Sequence, residues 1–380
     1  MIIVLAILWY GLIPVAGAFI SRRFWRAFRR RFDNLCLAPS LDYTAYRHDG
    51  GGVYRFIGGV ESVTGQTLWI RGAGLTIPVI LEGAQIHVLP MPEDTAEFFD
   101  PGQEIPQRIR WDQVSALTEG AKVFVGGSLV SLEDRLTFVS TKENPLLVIF
   151  YDGPDRSLVT RTIRAGRDKN EYLNPVTPYA LTLGAFSQIF IALSFLSRPA
   201  FRLTVITAFI AVFTPLFPLI PPGLLLTILY RRLWWRARLF RAYRDLVRLP
   251  LRYFHQDEKE GRLPSGEPYG YVRLETLPEE KSIPLLIPGE RPRKREGWYV
   301  FGVPAGENPS PEGDADGPRG FPGEPRDLFA VYGAVPGNPE VLTRRYALKA
   351  HVLEILSWFL LLLGIVLNGF FIGMIIFLLR

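Results

Sequence analysis

Long apolar runs alternate with polar stretches along this chain, and four of the runs are long enough to cross a bilayer, which takes about 20 apolar residues as helix. The first, 1–20, carries no charged side chain and is followed, not preceded, by a basic cluster. A secretory signal has its positive charge in front of the apolar run, so this one reads as an uncleaved anchor. The second run is 179–197, with Thr182, Ser187 and Ser194 as polar members that bond back to the preceding turn. The third, 203–230, contains Pro215, Pro218, Pro221 and Pro222. Each proline removes a backbone donor, so a kink is expected, or a pause near Pro221–Pro222 and a restart. Because 198–202 is so short, the second and third runs read as a helical hairpin. The fourth, 355–379, has Asn368 and Gly369 within it. A single tilted span is expected, because each arm of a re-entrant hairpin turning there would be too short to cross.

Between the first two spans, 32–178 changes period. Short β-branched or aromatic runs recur at 53–57, 67–70, 76–81, 84–89, 122–125, 136–139 and 146–151, with Gly or Asp/Asn between them. That pattern predicts a β-rich soluble domain, a small barrel or sandwich. The Gly58–Gly59 pair reads as a break between strands. At Gly126–Gly127 a strand is expected to run into the pair and turn back. One or two helical turns are expected at 111–117, capped by Asp112.

The region 250–343 is different. Between Tyr253 and Thr343 stand 14 Pro and 13 Gly, a density typical of partly ordered chain. Four short strands are expected, at 271–277, 282–287, 298–303 and 328–335, with 306–326 a flexible loop. The segment 231–249 reads as a basic helix lying at the membrane interface and ended by Pro250. A helix from 339 is expected to continue into the last span. The fold class is thus a membrane protein of about four transmembrane helices, with a β-rich domain and a second, smaller Pro/Gly-rich β-containing region.

Charge sets the expected topology. Lys and Arg flanking short loops stay cytoplasmic. Arg22, Arg23, Arg26, Arg29, Arg30 and Arg31 follow the first span; Arg161, Arg164, Arg167 and Lys169 precede the second; Arg231, Arg232, Arg236, Arg238, Arg241, Arg244, Arg248 and Arg252 follow the third; Arg344, Arg345 and Lys349 precede the fourth. The hairpin tip has only Arg198 and Arg202. One arrangement fits all flanks: both termini outside and both soluble regions cytoplasmic, in a bacterial inner membrane.

Trp25, Trp234 and Trp235 stand among those arginines. With Arg22, Arg23, Arg26, Arg29, Arg30, Arg31, Arg231, Arg232, Arg236, Arg238 and Arg241 they form the expected membrane-interface set. Arginines meet lipid phosphates and tryptophans settle at headgroup level. Arginine–aromatic patches also bind nucleic acid, but the membrane reading accounts for them, and no nucleic-acid partner is expected. The formal charge of +6 is a juxtamembrane property: 32–178 alone has 13 Lys+Arg against 19 Asp+Glu.

Candidate chemistry is sparse. One Cys and four His, at 48, 87, 255 and 351, exclude a disulfide framework and a zinc finger, and no HExxH or HxH occurs. Asp49 followed by Gly50–Gly52 lacks the Lys and helix of a phosphate loop and reads as a turn. Gly126–Gly127–Ser128 is not a nucleophile elbow, Glu133–Asp134 reads as a hairpin turn, and Cys36 reads as a small buried side chain. No cofactor is expected. The expected function is a non-catalytic scaffold or partner-binding module at the cytoplasmic face, with the bilayer and proteins as partners. The alternative is an enzyme or processing factor acting on lipid-linked or membrane-protein substrates, in a cleft bearing buried carboxylates or histidines. A sensor of small molecules, with a closed apolar pocket in the first domain, is the third reading.

Overall fold

The computed structural model describes residues 1–48, 51–89, 106–116, 120–132, 135–167, 171–254, 260–277, 283–293, 296–304 and 322–378. Elements follow in this order: α1 (Ile2–Ile7), a π-helical turn (Leu8–Leu12), α2 (Ile13–Cys36), α3 (Tyr43–His48), β1 (Gly51–Thr64), β2 (Thr67–Gly72), β3 (Leu75–Ile80), β4 (Gln85–Val88), β5 (Gln107–Ile109), β6 (Lys122–Leu132), β7 (Arg135–Val139), β8 (Leu147–Tyr151), α4 (Ser157–Arg164), α5 (Thr177–Phe195), α6 (Arg202–Val212), α7 (Gly223–Leu251), β9 (Glu260–Arg262), β10 (Pro268–Leu274), β11 (Trp298–Gly302), β12 (Gly333–Pro336) and α8 (Pro339–Leu378). They form two compact units. One comprises 1–27, 166–241 and 346–380; the other comprises 28–165 and 242–345.

The first unit is the membrane part. Among the described residues, three helical stretches are long and apolar enough to span: Ile2–Cys36, Thr177–Phe195 and Pro339–Phe371. Over 203–230 the chain takes the second of the two courses expected from its prolines, a pause and a restart, and not a single kinked helix. Helix α6 ends at Val212, a 3-10 turn covers Thr214–Leu219, and α7 restarts at Gly223. The four prolines explain the break, since no ladder survives the loss of so many donors in one short stretch. Freed carbonyls need partners in an apolar setting. Asn368 supplies them, its amide donating to the carbonyls of Phe217 and Ile220, the latter at 2.7 Å. Helix α8 runs unbroken through Asn368, so the last run is one helix and no turn forms there. Small residues let the helices approach: Ala192, Ala208 and Ala211 pack with Ile2 and Val205.

In the second unit, β1, β2, β3, β7 and β6 close into a five-stranded barrel, β6 pairing back onto β1. All pairs in it are antiparallel except β3–β7. From β6 the sheet extends through β8, β4 and β5. Inward positions alternate along β2 and β3: Leu68, Ile70, Ile77 and Val79 are all buried and share a core with Phe56, Val125, Leu129 and Phe138. All five residues of β8 are buried, as expected of a strand covered on both faces.

Both glycine pairs lie inside strands, not at turns as the sequence reading had them. At Gly59, β1 passes from β6 to β2 as its partner; at Gly126–Gly127, β6 passes from β8 to β7. A Cβ on Gly58 would stand 2.4 Å from the Arg71 carbonyl oxygen, and one on Gly72 2.2 Å from that of Ile57. The close crossing of β1 over β2 therefore tolerates no side chain at either position.

Helix α2 extends well past the apolar run. Phe28, Phe32 and Leu35 recur at helical spacing and are all buried. Phe32 meets Phe124 of β6 edge to face, and Leu35 covers Gly126. The second sheet runs β12-β11-β10-β9, all antiparallel. The expected strand at 282–287 is absent among its described residues. Leu285 makes one isolated bridge to Ala334, between Pro284 and Pro288, which cannot donate. Residues 306–321 of the expected flexible loop lie outside the described residues.

Candidate functional site

The two stretches read separately in the sequence, 32–178 and 250–343, meet inside the second unit. Arg55 of β1 is their hinge point and only 1 % exposed. Its guanidinium donates to the Cys36 carbonyl at 2.6 Å and to the Asp327 carboxylate at 2.5 Å, and lies 4.4 Å from the Phe329 ring centroid. Asp327 in turn accepts from the Phe329 backbone N–H, fixing the turn that carries the ring. Phe329 packs edge to face on Phe124, and the Tyr253 hydroxyl donates to its carbonyl. Arg252 pairs with Asp33 at 2.8 Å. A buried arginine needs this much company, since a charge taken out of water must be paired and hydrogen-bonded.

Beside this hub lies a cleft of about 380 Å³. One wall is α4, presenting Arg156, Ser157, Thr160 and Arg164; the other comes from 284–288 and 328–332. Arg156 pairs with Glu324 and donates to the Pro325 carbonyl. Leu285 and Leu328 are exposed on the walls. Helix α4 was not anticipated from the sequence, because its eight residues are too few for a clear helical period.

The cleft lacks the groups an acid–base enzyme would need. Among its lining residues Glu324 is the one carboxylate, and it is half exposed. A perturbed histidine lies elsewhere in the unit. His87 in β4 is 1 % exposed, its ring 4.4 Å from that of Phe28. Burial, with the charge of Arg108, lowers its pKa to about 4, so it is neutral near pH 7. No group of three or more His, Cys, Asp or Glu suited to a metal occurs among the described residues. Asp49, Gly50, Glu133, Asp134 and His255, all weighed from the sequence, lie outside them. Cys36 is buried, in keeping with a small core side chain.

The interface residues divide. Arg23, Arg26, Arg30, Arg231, Arg232, Trp235 and Arg236 are exposed; Arg22, Arg29, Arg31 and Arg241 are half-buried; Trp25, Trp234 and Arg238 are buried. Arg29 donates to the Ala165 carbonyl at 2.7 Å. Trp25 covers Gly166, where a Cβ would meet the indole at 2.2 Å. In the first unit, Arg238 and Arg241 converge on Glu354 of α8, Arg241 placing Nε and Nη2 at 3.0 and 2.9 Å. Trp234 covers the Arg238 guanidinium, 4.3 Å from ring centroid to Cζ, and packs edge to face on Trp358 and tilted against Tyr230. The sequence showed the arginines but not this gathering, because Glu354 lies 113 residues from Arg241.

Comparison of the chain with protein-family models, with curated proteins and with solved structures found no match.

Proposed function

We propose that the chain is a multi-pass protein of a bacterial cytoplasmic membrane acting as a non-catalytic scaffold, with its β unit offered to protein partners on the cytoplasmic side. The observation that carries this reading is the composition of the second unit: 28–165 and 242–345 build one body around the Arg55–Asp327 pair. Two stretches sharing a core must share an aqueous compartment. The intervening 166–241 must then leave and return on that side, which supports a membrane hairpin made of α5, α6 and the start of α7. With the first and last helices this gives four crossings and both termini outside. The arginine flanks support the cytoplasm as the shared side.

The cleft beside α4 supports partner binding. It joins the exposed Leu285 and Leu328 to the polar Ser157 and Thr160 of α4, an arrangement suited to a segment that presents an apolar side chain beside polar backbone. Deleting 32–178 would be a poor test, since it destroys a composite core. The test is the full-length chain carrying Leu285→Asp with Leu328→Asp, recovered from cross-linked membranes. Loss of co-recovered proteins with unchanged membrane insertion is expected. Identical recovery would contradict the reading.

A further inference from the structure

In the second unit, the wall of the cleft made by 284–288 is firmly held. Ile283, Leu286 and Ile287 are buried, and Ile283 shares a small core with Val300 and Ala334. Leu285, between them, is 38 % exposed. Two hydrogen bonds seat the segment on β12. The Ala334 N–H donates to the Pro284 carbonyl at 3.0 Å, and the Leu286 N–H donates to the Ala334 carbonyl at 3.1 Å. Gly333 allows the approach, since a Cβ there would stand 2.6 Å from the Pro284 carbonyl oxygen.

This pairing fixes the direction of the Leu285 main chain. In extended chain the N–H and C=O of successive residues point to opposite sides. The Pro284 carbonyl and the Leu286 N–H face β12, so the N–H and C=O of Leu285 face away from it. Neither makes a hydrogen bond among the described residues. Pro284 and Pro288 have no N–H with which to lengthen this edge. The sheet therefore ends in an edge one residue long, a single donor and acceptor pair. Such an edge is too short to template a sheet between two copies of the chain. A short extended main chain meets it fully, because one strand residue carries both the acceptor and the donor required. The exposed side chains of Leu285 and Leu328 stand on the same walls, and the cleft of about 380 Å³ admits a segment but not a folded domain.

We propose that the cleft binds an extended peptide segment of a partner protein by β addition. The main chain of the segment exchanges hydrogen bonds with the Leu285 N–H and C=O, and one of its apolar side chains packs on Leu285 and Leu328. Buried Leu286 and Ile287 hold the edge in place beforehand, so binding has little of this wall to order. The inference rests on the reading that the cleft receives protein partners, and it names how they are held.

The test uses the full chain purified in mild detergent and short, blocked, fluorescent peptides of Thr and Ser around one central Leu, followed by anisotropy. The Leu peptide is expected to bind about tenfold more tightly than the same peptide with a central Ser, because its side chain leaves water. N-methylation of each central amide in turn removes one peptide donor at a time, and at one position it should weaken binding about tenfold. Leu285→Pro removes the outward N–H, which has no partner among the described residues, and should weaken binding of the Leu peptide to a similar degree. The N-methylated peptides decide the matter should that variant fail to fold. Equal binding of the Leu and Ser peptides, or binding of neither, overturns the proposal. So does binding of the Leu peptide that no N-methylation changes. The variant Leu285→Asp with Leu328→Asp separates this failure from that of the partner reading. If it abolishes co-recovery of proteins while the peptide results fail, partners use the cleft without pairing to Leu285. If it leaves co-recovery unchanged, the partner reading fails and the proposal with it.

Discussion

Arg55 and Asp327 stand 272 residues apart in the chain and meet at 2.5 Å, both almost wholly buried. The pair joins a barrel strand to the loop before β12. It is one of the contacts by which two stretches far apart in the chain form one compact unit.

Breaking one side of a buried pair strands the other charge, which costs about 3–5 kcal/mol. Asp327→Ala is therefore expected to destabilise the β unit by that amount in detergent-solubilised protein followed by denaturant. Arg55→Met with Asp327→Leu should recover much of the loss, because an apolar pair carries no stranded charge. A double variant as unstable as Asp327→Ala would mean that the pair is not the source of the loss.

His87 makes stability depend on pH in a definite direction. Its pKa is lowered to about 4, by burial first and Arg108 second. Between pH 4 and 6.5 the unfolded state binds the proton and the folded state does not. Stability is full above pH 6.5 and falls as pH drops toward 4. The loss from pH 7 to pH 5 should be roughly 2 kcal/mol, and His87→Leu should remove it. An identical pH slope in the variant would contradict this.

The glycines of the barrel should not be equivalent. A methyl at Gly72 meets the Ile57 carbonyl oxygen at 2.2 Å, whereas one at Gly127 meets Leu146 Cδ1 at 2.7 Å. Backbone cannot yield, but the end of a leucine can. Gly72→Ala is expected to cost about 3 kcal/mol or more and Gly127→Ala about 1 kcal/mol, compared by thermal unfolding. Equal losses would argue against the close β1–β2 crossing.

Asn368→Leu removes the donor to two carbonyls at the helix break. A loss of about 1–2 kcal/mol is expected, measured by unfolding in mixed micelles. Asn368→Gln should be intermediate if its longer amide still reaches them. No change in Asn368→Leu would mean that the break is satisfied in another way.

Much of this architecture was legible in the residues. Apolar length marked the first helix, Thr177–Phe195 and the last helix, and short β-branched or aromatic runs such as 67–70 and 76–81 marked strands that are present. Prolines marked where the third run breaks. What was not legible follows from the range of the forces. The glycine pairs were read as turns because local sequence does not reveal which strand a neighbour will be; Gly58 and Gly126 are small because Arg71 and Leu35 arrive from elsewhere. The arginines of 231–241 looked uniformly interfacial until Glu354 selected Arg238 and Arg241. The union of the soluble stretches rests on Asp327, an ordinary acidic residue in a Pro-rich segment, and no local signal sets it apart.

The most direct test of the central claim is a cysteine map of the full-length chain in intact cells, in a Cys36→Ala background because Cys36 is buried. Single cysteines would replace exposed Glu143, exposed Glu275 and exposed Ser197. A membrane-impermeant thiol reagent is predicted to label the Ser197 site from outside, and the other two only after the membrane is opened. Labelling of Glu143→Cys or Glu275→Cys in intact cells would contradict a cytoplasmic β unit, and opposite behaviour of those two would contradict the shared body itself.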